Sequence, residues 1–323
     1  MSEYKNPFIY RRADPFITKG PDNMYYFTAS YPAFKDELHG YDRIILRRSE
    51  TVSGLAEAKE LTVWTAHKDG LMSRHIWAPE IHFIGGRWYI YFAAATSENK
   101  WDLKPYVLRC KGDDPYSACW EELGVVQRTE NDSLSFRCFS LDMTYFEHKG
   151  RHYLIWAQIE GCSSLFMAET TKEAPWKIIS EPILLSKPEY DWEKVVHKVN
   201  EGAAVLKTKE KLYIFFSASG TGAEYCIGRL EADFNADPMN PDSWKKLSCP
   251  VLSTKDLDNE AGPGHNSFVT DENGELLLVY HARPSSHLEK NCNTFCEESL
   301  YDPCRHTRIK KVSFNEKGEP VLK

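Results

Sequence analysis

The chain has 323 residues, 42% hydrophobic and 27% charged, with 47 acidic against 40 basic side chains and a formal net charge of −7. That is enough apolar chain to build a packed core, and the acidic balance argues against nucleic acids and anionic membrane surfaces as partners, since both recruit an excess of Lys and Arg. No apolar run approaches the roughly 18 residues of a membrane-spanning helix.

From the N-terminus, Met1-Ser2-Glu3-Tyr4-Lys5-Asn6-Pro7 lacks the basic and apolar regions of a secretory signal, which leads to the expectation of a cytoplasmic protein. A short strand then starts at Ala13-Asp14-Pro15, and a polar turn leads into an apolar, β-prone run, Asn23–Thr28. A third short run follows at Arg43–Leu46, and Ser53–Lys59 reads as one turn of helix in a connection. The same order recurs along the chain. Starts at Pro79-Glu80-Ile81, Leu141-Asp142-Met143, Asn200-Glu201-Gly202 and Gly264-His265-Asn266 precede the hairpin runs Arg87–Phe92, Arg151–Trp156, Lys211–Phe216 and Glu275–Tyr280. Third runs follow at Tyr106–Arg109, Leu165–Ala168, Tyr225–Gly228 and Thr307–Lys310. Measured at Tyr25, Tyr89, Tyr153, Tyr213 and Leu277, the steps are 64, 64, 60 and 64 residues.

Five units of about four strands, at a period near 60, predict an all-β, five-bladed β-propeller. A β-sandwich would not explain the regular spacing. No composition break divides the chain, so residues 1–323 are expected to form a single propeller domain. The aromatic content of 13% suits strands and also suits ring stacking on sugar faces.

The first strand of each propeller blade lines the central channel. The repeat therefore brings Asp14, Glu80, Asp142, Glu201 and His265 to one axis. Gathering carboxylates in a desolvated cleft opposes their ionisation, so stability alone would not select such a cluster, and it reads as a functional site. Two carboxylates across a cleft can cleave a glycosidic bond: one, kept protonated, gives its proton to the leaving oxygen, and the other activates water or attacks directly. A third can raise the acid's pKa and orient it, and Asp14, Asp142 and Glu201 fit this division.

These segments resemble glycoside hydrolase family 43. The resemblance rests on Arg12-Ala13-Asp14-Pro15-Phe16, Trp77-Ala78-Pro79-Glu80, Ser140-Leu141-Asp142, Asn200-Glu201-Gly202 and Gly262-Pro263-Gly264-His265-Asn266-Ser267, in order over nearly the whole chain. Tyr41–Leu46 and Tyr301–His306 further resemble its exo-acting α-L-arabinofuranosidase branch. The resemblance implies an inverting exo-glycosidase that removes terminal α-L-arabinofuranosyl units from arabino- or arabinoxylo-oligosaccharides. A β-D-xylosidase and a catalytically silent sugar-binding propeller are the alternatives. It implies Asp14 as general base, Glu201 as general acid and Asp142 as the residue that raises and orients the acid. Glu80 is left to support the channel. It further implies that His265 holds a calcium or other ion at the axis, largely through waters, and that Arg283 contacts substrate. Phe34 and Trp77 are candidates to wall the sugar subsite by ring stacking. Many relatives carry Pro where this chain has Met143 and Ala203, which predicts a local change of backbone.

Nine cysteines in a chain read as cytoplasmic are expected to be reduced thiols. Cys292, Cys296, Cys304 and His306 could instead complete a tetrahedral zinc site, although their spacing departs from paired C-x2-C modules and Cys304 stands where the arabinofuranosidase branch leads one to expect Asn.

Overall fold

The computed structural model describes residues 4–33, 40–288 and 299–323. Its strands form the expected five-bladed propeller. Blade 1 is β1 (Ala13–Lys19), β2 (Tyr25–Ser30), β3 (Arg43–Ser49) and β4 (Leu61–Thr65); blade 2 is β5 (Arg74–Ile84), β6 (Arg87–Ala95), β7 (Lys104–Cys110) and β8 (Trp120–Val125). Blade 3 is β9 (Ser140–His148), β10 (Arg151–Glu160), β11 (Cys162–Thr170) and β12 (Ile183–Ser186); blade 4 is β13 (Asn200–Lys207), β14 (Lys211–Ala218), β15 (Cys226–Asp233) and β16 (Lys245–Lys246). Blade 5 has three strands, β17 (Glu260–Thr270), β18 (Leu276–Pro284) and β19 (His306–Lys311), and a small ribbon, β20 (Ser313–Phe314) with β21 (Pro320–Val321), ends the chain. All ladders within the blades are antiparallel, each strand pairing with the next in sequence. The helical turn expected after β3 is a 3-10 turn at Ser53–Ala56.

The fifth blade is completed by the N-terminal segment. Phe8 N–H donates to the Thr307 carbonyl at 2.8 Å and Thr307 N–H to the Ile9 carbonyl at 2.9 Å, while the Asn6 side chain bonds both backbone groups of Ile309. The two ends of the described chain are thus stitched into one sheet, which closes the ring and leaves β19 without an open edge.

The continuous apolar runs in the second strands follow from the pleat. Side chains alternate between sheet faces, and a strand covered on both faces needs apolar residues at every position. In β14, Ile214 and Phe216 pack toward blade 3 while Tyr213 and Phe215 pack toward blade 5. In β6, Ile90 and Phe92 face blade 1 and Tyr89 and Tyr91 face blade 3. β2 and β18 divide the same way, with Tyr25, Phe27, Leu277 and Val279 joining blades 5 and 1.

The inner strands share an irregularity that the sequence repeat does not announce. Each carries a shift of register against its neighbour: between Ala13 and Phe16, between Trp77 and Glu80, opposite Ile155/Ala157, between Glu201 and Ala204, and between Gly264 and Ser267. Inside each shift one residue has a positive φ: Asp14 (53°), Ala78 (44°), Asp142 (54°), Gly202 (57°) and His265 (43°). A bulge bends the strand and re-aims a side chain, and a left-handed residue other than glycine is held there only by its surroundings. At Met143 the expected local change of backbone does not extend to the φ of the preceding Asp142. Asp14, followed by Pro15, and Asp142, followed by Met143, have φ of 53° and 54°, so the bulge and not the proline sets the conformation.

Candidate active site

The five bulges correct the alignment made from sequence. Structurally equivalent positions are Asp14, Ala78, Asp142, Gly202 and His265, so Glu80 lies two residues beyond its blade's bulge position and Glu201 one residue before. Glu201 therefore shares its place with Trp77 and Leu141, and all three line one pocket, of about 690 Å³, with Asp14, Asp142 and His265. Glu80 is not among the lining residues; its buried carboxylate meets His82 Nε2 at 2.8 Å. The blade-to-blade register, offset by one or two residues, is invisible to a period of about 60.

Asp14 is buried and multiply held. Ser30 Oγ donates to its Oδ2 at 2.6 Å and accepts the Ala78 N–H at 2.8 Å, tying blade 1 to the bulge of blade 2. The Asp14 N–H donates to His281 Nδ1 at 3.1 Å. That bond needs an unprotonated Nδ1, and burial keeps the His281 imidazole neutral by pushing its pKa down to about 3. Asp14 Oδ1 lies 3.5 Å from His265 Nδ1 and 3.7 Å from the Arg305 guanidinium. Burial works against ionisation of Asp14, but His265 and Arg305 outweigh it and hold the carboxyl well below the usual carboxylate range.

The other two carboxyls are driven the opposite way. Burial, opposed by a 2.8 Å hydrogen bond donated by Tyr225 to Oε1, raises Glu201 to about 7. Burial, then the nearby charges of Glu201 and Asp14, raises Asp142 well above the ordinary value, although the Gly202 N–H donates to its Oδ2 at 3.1 Å. One buried pocket thus contains a carboxyl pushed toward ionisation and two pushed away from it. Gly202 serves two needs here. Its φ is left-handed, and a Cβ at this position would stand 3.2 Å from His265 Nδ1.

Much of the pocket wall is apolar. Trp77 stacks on His75, with ring centroids 4.0 Å apart, and meets Tyr41 edge-on at 5.8 Å. Trp101, Phe139, Leu141, Ile159 and Leu300 add further apolar surface to the lining. Phe34 lies outside the described residues. Arg283 is buried behind the wall and not among the lining residues: its guanidinium meets the carbonyls of Thr221 and Ser299, and Asp302 Oδ2 at 3.4 Å. The guanidinium that lines the pocket belongs to Arg305, in the Tyr301–His306 motif, where its sequence position gave no sign of pairing with Asp14. Tyr225 and His281 were missed as well, because Tyr225 directly precedes β15 and His281 lies on the second strand β18, outside the inner strands.

The described side chains alone do not make a calcium site at His265, so an ion at the axis would have to be held largely through waters, as the resemblance implies. Calcium takes six to eight oxygen ligands, whereas His265 turns Nδ1 to Asp14 and Asp142 at 3.5 and 3.8 Å, and no set of three ligating atoms closes around it among the described residues. Nor does His306 join Cys304: its Nδ1 accepts the Arg11 N–H at 2.9 Å and its ring packs on Tyr10. Cys292 and Cys296 lie outside the described residues.

The chain is 42% identical over 322 residues to a protein of Streptomyces avermitilis named extracellular exo-alpha-(1->5)-L-arabinofuranosidase, covering 98% of this chain and 62% of that protein. It is 44% identical over 285 residues to a protein of the same name from Streptomyces chartreusis, covering 87% and 82%. The crystal structure of alpha-L-arabinofuranosidase from Lactobacillus brevis is similar with a TM-score of 0.88 and 38% identity, over 99% of this chain and 96% of that one. The chain thus spans about three-fifths of the length of its Streptomyces avermitilis relative. The expectation of a cytoplasmic protein is overturned, because both Streptomyces relatives are named extracellular and the expectation rested on seven residues alone. The family model of glycosyl hydrolases family 43 matches residues 4–320, and with this fold and these relatives the chain belongs to that family.

Proposed function

We propose that the chain is an inverting exo-α-L-arabinofuranosidase acting on arabinose-containing glycans. The observation that carries this reading is the opposed protonation of carboxyls in a single pocket. Asp14 is held ionised and Glu201 is raised to about 7, so near pH 6 one can accept a proton while the other can give one. In the proposed step the water oxygen attacks the anomeric carbon and loses its proton to Asp14. The bond from that carbon to the leaving oxygen breaks, and the leaving oxygen takes the Glu201 proton. Asp142 orients the acid in this reading: its carboxyl accepts the Gly202 N–H next to Glu201, and burial, with the nearby Glu201 charge, pushes Asp142 itself toward the protonated form. His281 and Ser30 act on Asp14 from behind, orienting the base.

The relatives' names support the sugar specificity, and the aromatic walls around Trp77 suit the apolar face of one terminal sugar. The deciding assay compares kcat/KM on an aryl α-L-arabinofuranoside with that on an aryl β-D-xyloside, and follows the anomer first released from an arabino-oligosaccharide by NMR. Preference for the arabinofuranoside with an inverted product is expected. A preference above about tenfold for the xyloside, roughly 1.4 kcal/mol in transition-state binding, overturns the specificity.

A further inference from the structure

Behind the wall that carries Arg305, three side chains of different chemistry converge. His287 sits in a 3-10 turn, Ser285–Leu288, directly after β18. Asp302 and Cys304 sit in the turn that leads into β19, where the Arg305 N–H donates to the Asp302 carbonyl. The Cys304 N–H donates to Asp302 Oδ1 at 2.8 Å, which folds the carboxylate back over the turn. Its other oxygen, Oδ2, faces His287 Nδ1. All three residues are buried. One ligand atom from each lies within 4.8 Å of the other two, and among the described residues no other group of three such atoms does so.

The His287 Nδ1 to Asp302 Oδ2 distance is 3.3 Å. N–H···O hydrogen bonds run from about 2.7 to 3.2 Å, so this contact is a long one that a metal between the two atoms would also produce. Two donors bound to one tetrahedral zinc at about 2.0–2.1 Å stand about 3.3–3.4 Å apart, because the edge of a tetrahedron is about 1.6 times its centre-to-corner length. The donor set agrees. An imidazole, a carboxylate and a thiolate are zinc ligands, whereas calcium and magnesium take oxygen. The charges agree too, since a dication against one thiolate and one carboxylate is neutral and tolerates the Arg283 guanidinium 3.4 Å from Oδ2. Arg283 is then the outer partner that holds the ligating carboxylate in place.

We propose that His287 Nδ1, Asp302 Oδ2 and Cys304 Sγ bind one zinc ion that fastens the end of β18 to the start of β19. The fourth corner of the tetrahedron is left to a further donor. Cys304 directly precedes Arg305, so the ion fixes the turn that sets the Arg305 guanidinium 3.7 Å from Asp14 Oδ1. The site is independent of the sugar specificity proposed above.

The test is a metal inventory of the full chain, supplied with zinc and then dialysed against metal-free buffer, followed by exchange with cobalt(II). About one zinc per chain is expected, and the cobalt protein should show a thiolate-to-metal charge-transfer band in the near ultraviolet. Cys304→Ser should abolish the band, and Cys304→Ser and His287→Gln should each weaken zinc binding by at least about tenfold against a chromophoric chelator. Less than about a tenth of a zinc per wild-type chain overturns the proposal, as does a cobalt protein without the thiolate band or folded variants that hold zinc as tightly as wild type. Should a variant not fold, the wild-type zinc and cobalt results decide the matter.

Discussion

Tyr225→Phe isolates one hydrogen bond at Glu201, the proposed acid. The Tyr225 hydroxyl donates to Glu201 Oε1 at 2.8 Å, and burial keeps the phenol protonated, so it is a permanent donor. The ring stacks on His281 with centroids 5.6 Å apart and a phenylalanine keeps that contact. The hydrogen bond favours ionised Glu201 and so opposes the burial that raises the carboxyl to about 7. A hydrogen bond to a charged group is worth about 1.5–3 kcal/mol, and the protonated acid retains part of it, so removal shifts the balance by about 1–1.5 kcal/mol. At 1.36 kcal/mol per pKa unit this moves the acid up by about one unit. The assay is the pH profile of kcat/KM on an arabinofuranoside with a poor leaving group, whose alkaline limb reports the acid in the free enzyme. The limb should move from near pH 7 to near pH 8, while the acidic limb, set by Asp14, stays where it was. A folded variant whose alkaline limb is unmoved, or moves down, refutes Glu201 as the acid governed by Tyr225.

Three further expectations follow from the same geometry. Glu201→Ala should cripple cleavage of natural linkages and be far milder on aryl substrates whose leaving group needs no proton, while Asp14→Ala should damage both; equal losses for the Glu201 variant count against the assignment. Glu201→Gln should stabilise the fold at pH 8 and not at pH 4. The folded state keeps a proton on Glu201 that the unfolded chain releases above about 4.5, so stability falls as pH rises from about 4.5 to about 7 by an amount on the order of 3 kcal/mol, and a neutral amide escapes that loss. Thermal melts of both proteins across that range measure it, and a difference independent of pH would contradict it. Gly202→Ala should cost about 1–2 kcal/mol of stability from its φ of 57° alone and lower kcat by pressing on His265, which paired denaturation and kinetics would reveal; a variant as stable and active as wild type would show that the bulge relaxes freely.

The five-bladed architecture was legible in the order of residues. Apolar runs such as Tyr213–Phe216 and Tyr89–Phe92 recur near every 60 residues because each second strand must present apolar groups to two neighbouring blades, and that demand is written in the order of residues. The sequence also marked Asp14, Asp142 and Glu201, which stand on inner strands where a carboxylate has no structural purpose. How these residues differ comes from contacts between blades. Asp14 is pushed toward ionisation because Arg305 and His265 arrive from blade 5, and Glu201 is pushed toward protonation because its surroundings are dry, against a hydrogen bond from Tyr225 on the approach to β15. The tertiary structure also decided that Glu80 falls out of the pocket and that Cys304 meets His287 in place of His306. These outcomes depend on register offsets of one or two residues at five bulges and on chain closure through Phe8 and Ile9, which are set by packing across blades and leave no period in the sequence.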